Sequence, residues 1–129
     1  MRYFNIKEFY CSCCNKQEMK DEFLNFIDEL RARCDFPFHV TSGWRCENKQ
    51  KELKRLGYHT IKNSAHLKGL AADIAVSDSV KRAYFIGYAL ELTHKLQLPF
   101  RIGIAGKDKG NFIHIDIDET KTNPRIWIY

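Results

Sequence analysis

The chain has 129 residues, 44% hydrophobic and 29% charged, with three prolines and a formal net charge of +5. That length suits a single domain over residues 1–129, one able to bury roughly two-thirds of its unfolded surface. No stretch approaches the ~20 consecutive apolar residues of a membrane span. The positive charge favours anionic partners, among them nucleic acid, teichoic acid or an anionic membrane surface, or simply serves solubility. No helix-turn-helix pattern, RNA-binding aromatic motif or long Lys/Arg run is present, so nucleic acid is not an expected partner. Residues 1–8 lack a hydrophobic h-region and a cleavage site, so a cytoplasmic origin without a signal peptide is expected.

Along the chain, Cys11, Cys13, Cys14 and Cys34 come early and Cys46 follows, an odd total of five. The Cys11-x-x-Cys14 spacing matches one half of a zinc knuckle or a redox pair. Its other half is missing, since Cys34 and Cys46 stand alone, and reduced, mostly buried thiols are expected. Residues 18–33 place Met19, Phe23, Leu24, Phe26, Ile27 and Leu30 near a three-and-four spacing, which predicts an amphipathic helix. Pro37 prevents its continuation. Residues 38–41 read as a short strand, Ser42-Gly43 as a turn, and residues 47–56 as a charged helix stopped at Gly57. Residues 58–64 read as loop.

The apolar run of residues 70–76 suits a buried strand, and Ser77-Asp78-Ser79 a cap for a helix over residues 80–96. Residues 101–104 and 112–117 alternate as strands, joined by a glycine-containing hairpin loop at residues 105–110. No repeat, low-complexity tract or linker interrupts the chain. The expected architecture is α+β, with helices packed on a small, mainly antiparallel sheet.

Within that frame, His114, Asp116 and Asp118 share one face of their strand, and Ile113, Ile115 and Ile117 share the other. The apolar face belongs to the core, so the polar face is expected to line a cleft. Asp73 interrupts an apolar strand, where an unpaired carboxylate is expensive and a metal would resolve the cost. Ser64-x-His66 and Gly69 lie just upstream. Two imidazoles and a carboxylate form the ligand set of a catalytic zinc site, whose fourth position stays open for water with a pKa near 7. Singly, each residue has an ordinary reading: Asp73 as a turn cap, His114 as an exposed strand residue. Convergence of His66, Asp73 and His114 would make the chain a hydrolase.

The pattern Ser64-x-His66-x-x-Gly69-x-Ala71-x-Asp73, followed by His114-x-Asp116, resembles the signature of the zinc D-Ala-D-Ala carboxypeptidase family, whose fold is shared with the hedgehog signalling domain. Thr41-Ser42-Gly43-Trp44-Arg45 is similar to that family's Ser-Gly-aromatic-Arg turn. Glu8-Phe9-x-Cys11-x-x-Cys14 and Arg125-x-Trp127-x-Tyr129 look like the two ends of its short, phage endolysin-type branch. The resemblance implies one zinc per chain held by His66, Asp73 and His114, and hydrolysis of peptidoglycan stem or cross-link peptides by a monomer. It also implies that Arg45 binds and orients substrate through a peptide carboxylate or the scissile carbonyl, as its planar guanidinium suits a carboxylate, and that it shares in catalysis by helping zinc stabilise the oxyanion; the ordinary reading is a surface arginine after a turn. Ser64 is expected to orient the ligand loop or contact substrate, with simple turn capping as its ordinary reading. The wall would be reached by lysis, through a holin-like pore or on a delivered particle.

Many members of that family carry an acid or histidine three residues before the last zinc-binding histidine, as general base. Here that residue is Asn111, which cannot exchange a proton at neutral pH. Asp116 is the best substitute, either shuttling the proton or orienting His114. Asp118, Glu47 and His59 are further candidates whose ordinary reading is solvated surface. The helix over residues 47–56 and the loop after it also lack a Gly-Gly element common in that branch. If catalysis is lost through Asn111, the alternative is a zinc-containing binding module of the same fold.

Overall fold

The computed structural model describes residues 1–58 and 60–129. After a 3-10 turn at Ile6–Phe9 come α1 (Asp21–Cys34), β1 (His39–Ser42), α2 (Glu47–Arg55), β2 (Ala71–Ala75) and α3 (Ser79–Leu96). They are followed by β3 (Arg101–Ile104), a 3-10 turn at Lys107–Lys109, β4 (Phe112–Asp116) and β5 (Arg125–Ile128). The α1 helix starts three residues later than its periodicity predicts, because the backbone before it is used elsewhere. Lys20 N–H donates to the Gly69 carbonyl at 3.0 Å, and Met19 N–H to the Gln17 side chain at 2.7 Å. The α3 helix is capped as expected, with the Asp78 carboxylate accepting from Lys81 N–H at 2.9 Å.

The strands form one sheet in the order β1-β2-β4-β3-β5, antiparallel throughout except for the parallel β3–β5 pair. The α+β architecture with a mainly antiparallel sheet is as expected. The fifth strand was not anticipated. Its alternation of Arg125, Trp127 and Tyr129 with Ile126 and Ile128 is a period-two pattern that a strand reading can use.

One sheet face carries Ala72, Ile74, Ile102, Ile113 and Ile115 into a core with Phe23, Phe26, Ile27 and Leu30 of α1 and Phe85, Ala89 and Leu92 of α3. Each fully buried large side chain there contributes about 1.5–3 kcal/mol of transfer free energy. The opposite face is polar, because side chains alternate along every strand. Register aligns its residues into one row across all five strands: Ser42, Asp73, His114, Gly103 and Trp127. A bulge in β1 between Val40 and Ser42 sets Ser42 opposite Asp73.

The cysteines depart from expectation. Only Cys11 is buried, Cys13 is exposed, and Cys14, Cys34 and Cys46 are half-buried. Nor is Cys46 isolated: its sulfur lies 3.0 Å from that of Cys13 and 3.6 Å from that of Cys11. The N-terminus of α2 folds back onto the early cysteine turn, a contact between residues too far apart in the chain for spacing to reveal.

Candidate metal centre

The loop of residues 64–69 coils tightly enough to point His66 at the sheet. Ser64 Oγ accepts from His66 N–H at 3.2 Å, and the N–H groups of Leu67 and Leu70 donate to the Ser64 and Ala65 carbonyls at 3.1 Å. Gly69 closes the coil with φ of +72°, and a Cβ on it would sit 2.0 Å from the Glu18 carbonyl oxygen. Only glycine meets both demands.

His66, Asp73 and His114 converge from this loop, β2 and β4. His66 Nε2 lies 3.2 Å from His114 Nδ1 and 3.2 Å from Asp73 Oδ1, and His114 Nδ1 lies 3.0 Å from Asp73 Oδ1. Zinc–ligand distances near 2.0–2.1 Å in a tetrahedron give ligand edges of about 3.3 Å. The three atoms thus outline one face of such a tetrahedron. The residues are buried, with 2%, 5% and 7% exposure for His66, Asp73 and His114.

The outer contacts fix which ring nitrogens carry protons. His66 Nδ1–H donates to the Gly43 carbonyl at 2.8 Å, and His114 Nε2–H donates to Asp116 Oδ2 at 2.7 Å. In neutral rings the other nitrogens, those facing Asp73, then hold lone pairs. Two lone-pair nitrogens and a carboxylate oxygen meet at hydrogen-bond distance without a donor among them. Such an arrangement calls for a cation.

The electrostatics distinguish the two rings. Burial pushes the His66 imidazole down and keeps it neutral. Burial also opposes a charge on His114, but its bonds to Asp116 and Asp73 outweigh that and raise it. Burial alone would raise the Asp73 carboxyl, yet the flanking His66 and His114 hold it far below the usual carboxylate range. A proton and a metal ion compete for the same lone pair on His114.

The other expected residues fall as follows. Arg45 donates from Nη2 to Asp73 Oδ2 at 3.0 Å, from Nε to Ser42 Oγ at 2.9 Å and from Nη1 to Gln50 Oε1 at 3.4 Å. Asp116, 1% exposed, receives His114 on one oxygen and Arg101 Nε on the other, the latter at 2.9 Å. Asp118 is not solvated surface, being 1% exposed. It accepts from Lys68 Nζ at 2.9 Å and from the Thr120 hydroxyl at 2.7 Å. Glu47 is exposed on the first turn of α2, and His59 lies outside the described residues. Asn111 has φ of +52°, its N–H on the Gly106 carbonyl at 3.0 Å and its carbonyl on Val76 N–H at 3.2 Å. Asparagine tolerates that left-handed conformation.

The polar sheet face is therefore not the open cleft expected from strand alternation. Loop 64–69 covers it on one side, and on the other Trp127 lies over Gly103, where a Cβ would come within 2.6 Å of the indole. The indole is 5.5 Å from the His114 ring and Tyr129 is 6.2 Å beyond it. Arg101 stacks on Trp127 at 5.0 Å. Burial and the nearby Asp73 push the Tyr129 hydroxyl up to about 12, so it stays protonated. Sequence reasoning missed Arg101, an arginine in an apolar strand whose one plausible buried partner is a carboxylate on the neighbouring strand.

The family model described as Peptidase M15 matches residues 2–116, from the N-terminal turn through the last strand of the triad. The chain belongs to the peptidase M15 family. Peptidases of this family are zinc-dependent metallopeptidases acting on peptide substrates, and the donor set of His66, Asp73 and His114 fits that metal. No curated protein matches the chain. Among the described residues no helix of this M15 peptidase is long and apolar enough to cross a membrane.

Proposed function

We propose that this M15 chain is a zinc peptidase that hydrolyses peptidoglycan stem or cross-link peptides as a monomer, in a phage-type lysis setting. The observation that carries the reading is the convergence of His66 Nε2, His114 Nδ1 and Asp73 Oδ1 within 3.0–3.2 Å. A zinc ion held by these three supplies Lewis-acid polarisation of the scissile carbonyl and activation of water. The remaining roles belong to the protein. Gly43 and Asp116 orient the two imidazoles. Arg45 holds the outer oxygen of Asp73, and its two remaining N–H groups are available to a substrate carboxylate or carbonyl. Ser64 shapes the ligand loop by accepting from His66 N–H, which supports positioning over substrate contact. Asp116, with both oxygens engaged, is better suited to orienting His114 than to shuttling protons. The protonated hydroxyl of Tyr129 offers a hydrogen-bond donor at the rim.

A second reading, a zinc-containing binding module, is favoured by one feature: Asn111 stands where a base is common and Asp116 is already committed. Mass spectrometry of muropeptides incubated with zinc-loaded protein separates the two. The peptidase reading expects cleaved peptides that disappear with chelator and return with zinc, and the mass of the products names the bond. Zinc-dependent muropeptide binding without any product would establish the module instead.

A further inference from the structure

Four thiols converge beside the loop that carries Arg45. The sulfurs of Cys11 and Cys13 are 3.5 Å apart, those of Cys11 and Cys46 3.6 Å, and those of Cys13 and Cys46 3.0 Å. Cys14 completes the group, with all four sulfurs within 4.8 Å of one another. A tetrahedral zinc with Zn–S bonds of about 2.3 Å has sulfur–sulfur edges of about 3.8 Å, close to this spacing. A disulfide would need about 2.05 Å, and every one of these cysteines is free.

Hydrophobic packing does not explain the cluster, since Cys13 is exposed and Cys14 and Cys46 are half-buried. The backbone presents the thiols instead. Cys11 N–H donates to the Lys16 carbonyl at 2.8 Å and Asn15 N–H to the Cys11 carbonyl at 2.9 Å. Asn15 adopts φ of +54°, and the resulting turn brings three sulfurs to one place. The fourth comes from Cys46, the N-cap of α2, whose sulfur accepts from Lys49 N–H at 3.3 Å. The two segments are pressed together: Trp44 N–H donates to the Phe9 carbonyl at 3.0 Å, and a Cβ on Gly43 would lie 2.5 Å from Phe9 Cα.

We propose that Cys11, Cys13, Cys14 and Cys46 bind one Zn2+ as a closed tetrathiolate site, separate from the triad, which clamps the N-terminal turn to the loop bearing Gly43 and Arg45. Four soft thiolates at tetrahedral spacing select zinc among the common divalent ions, and a full shell of protein ligands marks a structural site. Through the clamp, the Gly43 carbonyl that orients His66 and the Arg45 guanidinium that holds Asp73 are fixed by residues about thirty positions earlier in the chain.

The test is metal content and cobalt spectroscopy on the full-length chain, purified under reducing conditions without chelator. Two zinc ions per native chain are expected, and one in a His66→Ala/Asp73→Ala variant. Replacement of zinc by Co2+ is expected to give a near-ultraviolet thiolate-to-cobalt charge-transfer band in both proteins. That band vanishes in Cys13→Ser/Cys46→Ser, whereas Cys34→Ser keeps it. Native protein whose cobalt form lacks the band overturns the proposal, as does a disulfide among the four cysteines in protein holding no second zinc. Only sulfur ligands produce the band, so its absence from the native protein overturns the proposal even if the triad variant does not fold. The result is also independent of whether the triad hydrolyses anything.

Discussion

His114 donates its Nε2–H to Asp116 at 2.7 Å, which turns its other ring nitrogen to face Asp73 at 3.0 Å. An Asp116→Ala variant loses that orientation, and with it about 10–100-fold in zinc affinity. Peptide hydrolysis measured against added zinc is then expected to recover at saturation. A carboxylate that carried the proton itself would leave a deficit of about 10²–10⁴-fold at every zinc concentration.

Asp118 ties the ligand loop to the end of β4 through Lys68 Nζ at 2.9 Å. Burial would raise this carboxyl, but Lys68 and Thr120 hold it below its ordinary value. A depressed carboxyl stabilises the fold above its unfolded pKa of about 3.9, and that contribution disappears as pH falls through the lower folded value. Asp118→Asn is therefore expected to cost about 2 kcal/mol near neutral pH, the scale of a hydrogen bond to a charged group. Urea unfolding of both proteins should show a constant gap from about pH 5 to 8 that closes below about pH 4.

Gly103 leaves room for the Trp127 indole, which otherwise would meet a Cβ at 2.6 Å. Gly103→Ala is expected to destabilise by about 1–3 kcal/mol through overpacking. Combining it with Trp127→Ala removes the clash, so the double variant is expected to be more stable than the sum of its parts. Thermal unfolding of the four proteins in that cycle measures the coupling.

Asn111 is explained by its backbone, with φ of +52°. Asn111→Gly is expected to keep both stability and hydrolysis, whereas Asn111→Val costs about 1–2 kcal/mol because a β-branched residue resists that conformation. Loss of hydrolysis in the glycine variant, with stability intact, would assign the amide a chemical role.

Much of this was readable in the residues. Alternation gave β4 and placed His114 and Asp116 on one face, because that depends on local periodicity, and the motif around His66 and Asp73 singled out the residues that meet His114. What escaped was set by pairing between distant segments. Arg101 matters only because β3 lies beside β4 in a register that brings it to Asp116. Cys46 joins the early cysteines only after α2 folds back on them. The burial of the polar face followed from Trp127 crossing a glycine on the adjacent strand, and no pattern within β4 reports that. The late start of α1 has the same origin, a backbone bond from Lys20 to the far side of the ligand loop.

The row from Ser42 to Trp127 also makes the sheet answerable to whatever the triad holds. An occupant that ignores the unfolded chain deepens the native state by about 4 kcal/mol at a thousandfold excess over its dissociation constant. Because two of the three triad residues sit on adjacent central strands, that gain falls on the pairing of β2 with β4. Amide hydrogen exchange in those strands would slow in step with loading, turning the rigidity of the sheet into a direct gauge of occupancy.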